Sequence, residues 1–290
     1  MRRARPLLGT VVEIAAEGEA HTLPKAIEAA FAAIAGVQRL MSFHDSGSDL
    51  SRINAAAAGL EIAVDRQTFR VLEFAHELSD ASDGAFDVTI APSLVESGFL
   101  PERAGEPILR GATYRDLQIL PGHRVCWRRK GWADLGGIAK GYAVDCAVAA
   151  LRSEGVTTAV VNAGGDLRCF GQPQPIYVRH PSVPESLVSL DRLTDSAVAT
   201  SAGYFSRTEK DGREVDPLVD PEQGRCTTWD ASISVVASDG MTADALTKIV
   251  RLSPDTAPGI LDRFGAQAIV IDCDGVRCCG RSLLQPDGSL

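Results

Sequence analysis

The sequence has no apolar run long enough to cross a membrane, which excludes a helical span. It has no excess of basic residues either. Its 38 acidic and 29 basic side chains leave a formal charge of −9, which argues against nucleic acid or an anionic membrane surface as a partner. The seven cysteines (Cys126, Cys146, Cys169, Cys226, Cys273, Cys278 and Cys279) follow no zinc-ligand spacing. An odd number in a chain of 290 residues predicts reduced, mostly buried thiols, and Cys278-Cys279 reads as a pair of core thiols in a strand-like segment. No internal repeat or low-complexity linker is present. The basic start, Met1-Arg2-Arg3-Ala4-Arg5-Pro6, lacks the longer apolar core and small-residue cleavage site of a signal peptide. The expectation is a cytoplasmic protein as written, or an extracytoplasmic one if an export segment has been removed.

What is there is enough to build a full core. With 45% hydrophobic residues, the chain predicts one domain over 1–290, either as one large unit or as two intimate lobes. Its centre is Asp134-Leu-Gly-Gly-Ile-Ala-Lys-Gly-Tyr-Ala-Val-Asp145. Val125-Cys126-Trp127 and Trp132-Ala133 before it read as strand. Ala139, Ala143, Cys146, Ala147, Ala150 and Leu151 recur at helical spacing, so residues 138–151 read as a helix. Gly136-Gly137 then lies at a strand-to-helix turn. There the missing Cβ atoms allow close approach, and free N–H groups favour an anion. Asp134 offers acceptors just before the turn, and Lys140 a positive charge one turn in.

Elsewhere the pattern mixes strands and helices without a regular βαβ series, which predicts α+β. Residues 7–14 read as a first strand. Residues 25–41 read as an amphipathic helix, with Ile27, Phe31, Ile34, Val37 and Met41 on one stripe. Residues 42–54 are polar and turn-rich, a segment suited to cover a ligand, with His44 in it. Asp65 is placed to cap a helix over 68–79. Gly84-Ala85-Phe86-Asp87-Val88-Thr89 follows a turn at Asp83-Gly84 and presents a ring and a carboxylate together. Residues 98–111 read as a surface loop. A strand over 157–161 ends in Asn162-Ala163-Gly164-Gly165-Asp166, a hairpin or bulge. Strands at 197–203 and 233–236 and a helix at 242–250, with Asp244 in its first turn, precede a final helix, strand and short strand.

Several of these segments together resemble one family. Gly9-Thr10, Met41 with Ser51-Arg52-Ile53-Asn54, Gly84-Ala85-Phe86-Asp87, the central stretch, Asn162-Ala163-Gly164-Gly165-Asp166, Ala199-Thr200-Ser201, Val219-Asp220-Pro221 and Ala243-Asp244-Ala245-Leu246 fall in the order found in ApbE-type FAD:protein FMN transferases. The resemblance runs over nearly the whole chain. It implies an ApbE-like α+β fold of mixed sheets with packed helices, and a ligand cleft between two intimate lobes. It implies FAD as donor, FMN attached through a phosphoester to a Ser or Thr of a target protein, and release of AMP. The acceptors in that family are often membrane-bound redox subunits. By the same resemblance, Asp134, Lys140 and the stretch Ala85, Phe86 and Asp87 contact FAD. Leu8, where a methionine is usual, and His44 line the flavin or adenine. The Gly137 carbonyl and Asp244 hold Mg²⁺.

Two positions depart from the family pattern. Pro217 stands where the family has the histidine favoured as base for the acceptor hydroxyl, leaving His180, His44 and Asp220 as candidate substitutes. Lys248 stands four residues after Asp244, where a metal-binding threonine is usual. A hydroxyl oxygen is a plausible Mg²⁺ ligand, whereas an ammonium repels a cation. Asp244 and Lys248 share one helix face, so Lys248 either takes the place of Mg²⁺ or forms an ordinary surface pair. Two other activities fit the same donor-side motifs: flavin binding without transfer, and FAD pyrophosphatase activity with water in place of the protein hydroxyl.

Overall fold

Leu8 and Gly9 decide how the chain begins. Both take left-handed φ values, 55° and 71°, a conformation open to glycine and uncommon for leucine. The chain reverses there, pairing Arg2–Leu7 antiparallel with Thr10–Glu17 so that Leu7 faces Thr10. The single strand expected over 7–14 is therefore the turn and second arm of a hairpin. The apolar pair Leu7-Leu8 hid the turn by continuing the strand-like pattern. The basic N-terminal residues form the exposed edge strand.

The computed structural model describes residues 1–103, 105–183, 185–203, 207–210 and 212–280. The chain divides into two compact units. The first comprises Met1–Gln38, Lys140–Ala202 and Asp230–Leu290. It is built on one eight-stranded sheet in the order Arg2–Leu7, Thr10–Glu17, Thr158–Ala163, Asp166–Phe170, Ser196–Ala202, Ser232–Ala237, Gln267–Asp272 and Gly275–Gly280. Every neighbouring pair is antiparallel. Because side chains alternate along a strand, Cys169, Val198, Val236, Ile269 and Ile271 share one face. A hairpin of Gln174–Arg179 and Leu187–Leu193 covers it with Ile176, Val178, Leu190 and Leu193. That hairpin has little signal in the sequence, since Pro175 stands at a register shift and Asp191, in the second arm, has a left-handed φ of 72°. The other face carries Ala199 and Ser201 toward the helix Gly240–Leu252, and Arg168 toward the helix Ala139–Ser153.

The second unit comprises Arg39–Ala139 and Gly203–Trp229. Its three-stranded antiparallel sheet runs Glu61–Ala63, Arg124–Trp127, Leu117–Leu120. Beside it stand the helices Asp49–Ala55, Arg66–Ala81 and Ala91–Glu96 and short hairpins near the end. Asp65 caps Arg66–Ala81 as expected, accepting from Gln67 N at 2.8 Å.

Two expectations are corrected in this unit and one, on the thiols, over the whole set of cysteines. Residues 42–54 are not all loop, because Ser48 accepts from Ser51 N at 2.9 Å and starts the helix Asp49–Ala55. Asp49 is buried and accepts from Arg52, Asp65 N and Thr68, so the polar residues serve internal bonds. Trp132-Ala133 is buried but not strand. The Asn54 side-chain amide takes the place of a neighbouring strand, donating to Ala133 O at 2.8 Å and accepting from Ala133 N at 2.7 Å. The surface loop over 98–111 is observed, with Ala104 outside the described residues. The thiols are not mostly buried. Cys126 and Cys169 are, but Cys273 and Cys278 are exposed, and Cys278-Cys279 lies on the sheet's edge strand. Among the described residues no helix is long and apolar enough to cross a membrane.

Candidate functional site

The turn Gly164-Gly165 closes a hairpin between Thr158–Ala163 and Asp166–Phe170, and Asp166 starts the return strand on the helix-covered side. Lys140, in the first turn of Ala139–Ser153, reaches it. Its ammonium pairs with Asp166 Oδ2 and lies 3.5 Å from Asp244 Oδ2. Asp244 Oδ1 in turn pairs with Lys248 Nζ, which also donates to the Asp244 carbonyl at 2.8 Å. Two lysines and two aspartates thus form one charge-balanced cluster. The Asp244 and Asp166 side chains are only 1% and 5% exposed, Lys248 is 15% and Lys140 34%. Asp244 belongs to the second turn of Gly240–Leu252, not the first, because Asp239 is the N-cap.

The two helices meet without side chains between them. A Cβ on Gly141 would lie 2.0 Å from Gly240 O, so only glycine permits this approach. Each helix also supplies a carboxylate to the other's start. Asp244 accepts from Gly141 N at 3.1 Å, and Asp145 accepts from Gly240 N and Met241 N at 2.8 and 2.9 Å. These are N–H groups with no partner inside their own helix, and the negative charges suit the positive helix ends. Arg168 pairs with Asp145 at 2.6 Å.

The charges in the cluster set one another. Burial disfavours the Lys140 ammonium, but Asp166 and Asp244 outweigh it and hold its proton well above the ordinary lysine range. Burial also works against ionised Asp244, yet the charges of Lys140 and Lys248 leave its pKa below the usual carboxylate range. Asp166 moves the other way, pushed up by burial and by the charge of Asp244 beyond what Lys140 and Lys248 recover.

The other expected site residues lie mainly in the second unit. Asp134 N donates to Val88 O at 2.8 Å, which joins the central stretch to the segment holding Ala85, Phe86 and Asp87. Asp134 Oδ2 accepts from Gly136 N at 2.9 Å, an Asx turn that presents Gly136 exposed and Gly137 half-buried ahead of the helix. Phe86 is buried. Asp87 accepts from Thr89 N and Thr89 Oγ1, both at 2.7 Å, and from Tyr114 N at 2.9 Å. Burial raises its pKa against these bonds. His44 is exposed. Leu8, in the first unit, is half-buried with its N–H on Gln38 Oε1 at 2.8 Å.

Around Pro217, which is exposed, the carboxylates are engaged. Asp216 is buried against Arg207 Nε at 3.1 Å and Trp229 N at 3.0 Å. Asp220 accepts from Glu222 N at 2.9 Å, Gln223 N at 3.1 Å and Gln223 Nε2 at 2.5 Å. Asp220 is therefore a turn residue rather than a poised base. His180 Nδ1 accepts from Ser182 N at 3.2 Å.

The donor set at Asp244 does not fit Mg²⁺. That ion takes near-octahedral oxygen ligands at about 2.0–2.1 Å. Here Oδ1 meets an ammonium, and Oδ2 meets a backbone N–H and a second ammonium. The balanced charge leaves no negative excess for a divalent ion. Among the described residues no three His, Cys, Asp or Glu side chains are grouped to hold a metal. Asp166, Asp145, Ser201 and Thr247 were not among the residues expected at the site. Asp166 closes a glycine turn, and that was the available signal. Ser201 lies in the family-like segment Ala199-Thr200-Ser201, whereas Thr247, bonded to it through the hydroxyls at 2.7 Å, gave no signal.

These features define an α+β protein whose antiparallel sheet carries a buried lysine–aspartate cluster on its helix-covered face. The chain belongs to the ApbE family, which matches it over residues 8–270. A FAD:protein FMN transferase of Vibrio cholerae is 31% identical over 222 residues, covering 71% of this chain and 66% of that protein. One from Rhodobacter capsulatus is 27% identical over 286 residues, 91% of this chain and 54% of that protein. The chain thus spans just under two thirds and about half the length of these curated relatives. The crystal structure of the ApbE protein of Thermotoga maritima superposes with a TM-score of 0.82 at 26% identity, covering 97% of each chain.

Proposed function

We propose that the protein transfers FMN from FAD to a Ser or Thr hydroxyl of a protein acceptor, with release of AMP. The family match over residues 8–270 carries this reading. The acceptor oxygen bonds to the flavin-side phosphorus, and the bond from that phosphorus to the bridging oxygen breaks. AMP leaves with the electron pair, and the acceptor proton passes to solvent. Lys140 suits the diphosphate. An ammonium has three donors, two of which face Asp166 and Asp244, and its side chain is one-third exposed. Asp134, His44, Leu8, Ala85, Phe86 and Asp87 are the remaining proposed FAD contacts. The proposed acceptor is a redox subunit at a membrane. Mg²⁺ has no part in the proposed step, since the donor set at Asp244 does not suit it.

The engaged state of Asp216 and Asp220 beside Pro217 favours a second reading, hydrolysis of FAD, in which water replaces a positioned hydroxyl. One incubation of protein, FAD and a Ser/Thr peptide separates the two. Transfer adds the mass of FMN less one water to the peptide and releases AMP, whereas hydrolysis releases free FMN and AMP. An unchanged FAD pool would overturn both.

A further inference from the structure

Five of the chain's 29 basic residues are lysines (Lys25, Lys130, Lys140, Lys210 and Lys248). Most ion pairs elsewhere use arginine, as in Arg2–Glu13, Arg124–Glu61 and Arg168–Asp145. Two of the five lysines nevertheless meet in a cluster where two carboxylates are almost wholly out of water. Such carboxylates need positive charge close by, and a divalent ion or two ammoniums supplies the same amount. An ammonium is a compact point charge, nearer to a metal ion in shape than a guanidinium is. Lys248 is placed for that role. Its Nζ bonds both the side chain and the main-chain carbonyl of Asp244, one helical turn back, and at 15% exposure it has little contact with solvent. Thr247, next to it, donates to the same carbonyl at 2.7 Å and holds that turn in place.

We propose that Lys248 is a resident cation that occupies the place of a divalent metal ion at Asp244, so that the diphosphate of the dinucleotide binds without one. Lys248 neutralises Asp244, which leaves the more exposed Lys140 able to turn a donor toward the ligand. The identity of the ligand rests on the FMN-transfer reading; the exclusion of metal does not.

Two measurements on the native protein and on Lys248→Thr test this. In the first, Mn²⁺ is titrated into ligand-free protein and free aqueous Mn²⁺ is followed by electron paramagnetic resonance. Native protein should leave the signal unchanged, and Lys248→Thr should remove about one equivalent, because an oxygen then replaces the ammonium beside Asp244. In the second, FAD is titrated by fluorescence with Mg²⁺ or with EDTA. The native affinity should change less than about twofold, and that of Lys248→Thr should fall about tenfold on chelation. Stoichiometric Mn²⁺ on the native protein, or a tenfold loss of native FAD binding in EDTA, overturns the proposal without touching the functional reading. Lys248→Thr that folds and still refuses Mn²⁺ also overturns it, and the native arms decide the matter if that variant does not fold. Failure to bind FAD in any buffer would instead remove the FMN-transfer reading, and with it the diphosphate half of the proposal.

Discussion

In the sheet unit Asp244 and Asp166 lie against Lys140 and Lys248, whereas in the second unit Asp87, Asp134 and Asp220 accept mainly from backbone N–H groups. Both arrangements answer the cost of taking a carboxylate out of water. They do so with different consequences. Apart from Tyr114 N on Asp87, these backbone amides lie within a few residues of their carboxylate, so Asp87, Asp134 and Asp220 shape the turns they belong to. Ammoniums come from elements distant in sequence, so Asp244 ties the helix Ala139–Ser153 to Gly240–Leu252 and Asp166 ties the first of these to the sheet. Asp87, Asp134 and Asp220 fold loops; Asp244 and Asp166 hold a cluster of charge.

Removing one carboxylate from each unit puts that contrast at its greatest. Asp244→Ala leaves two ammoniums short of a partner and frees Gly141 N, and should lower stability by about 3–5 kcal/mol. Asp87→Ala leaves Thr89 N and Tyr114 N without their acceptor in a half-buried site, and should cost about 1–3 kcal/mol. Denaturant unfolding of both variants decides the order; an equal or reversed order would show that the cluster adds little beyond local hydrogen bonding.

Two glycines sharpen the same point at a smaller scale. A Cβ on Gly141 meets the Gly240 backbone, which cannot step aside, so Gly141→Ala should cost about 1–3 kcal/mol or more. On Gly136 it meets only Asp134 Oδ2 at 2.9 Å, the end of a side chain that can turn away. Gly136→Ala should therefore stay within about 0.5 kcal/mol. Equal losses in thermal melts would mean that the helix contact is looser than its geometry.

The smallest effect is pH dependence. The folded Lys140 pKa is raised, so its contribution is complete below the unfolded value, about 10.4, and is lost as pH rises through the higher folded value. For Asp244 the folded pKa is depressed. Its contribution is present above about pH 3.9 and fades as pH falls through the folded value. Melting temperature against pH should show an alkaline decline beginning above about pH 10.4 that Lys140→Met lacks. An alkaline limb identical in the variant would remove Lys140 from the account.

Much was legible in the sequence because it is local. The helix Arg66–Ala81 with its Asp65 cap, the glycine turn before Asp166, the central turn and the shared face of Asp244 and Lys248 depend on spacing within a few residues, and spacing is what a sequence records. Tertiary structure decided the rest. Leu8 takes a turn conformation against its own preference, and Asn54 stands in for a strand beside Ala133 across 79 positions. Whether Lys248 was a surface pair or a buried one turned on what covers it, which periodicity does not encode. Asp166 became part of the cluster only because a sheet and a helix 26 residues apart in sequence bring its carboxylate to Lys140. Local preferences act through neighbouring bonds, while burial and long-range charge pairing exist only once the chain has closed on itself.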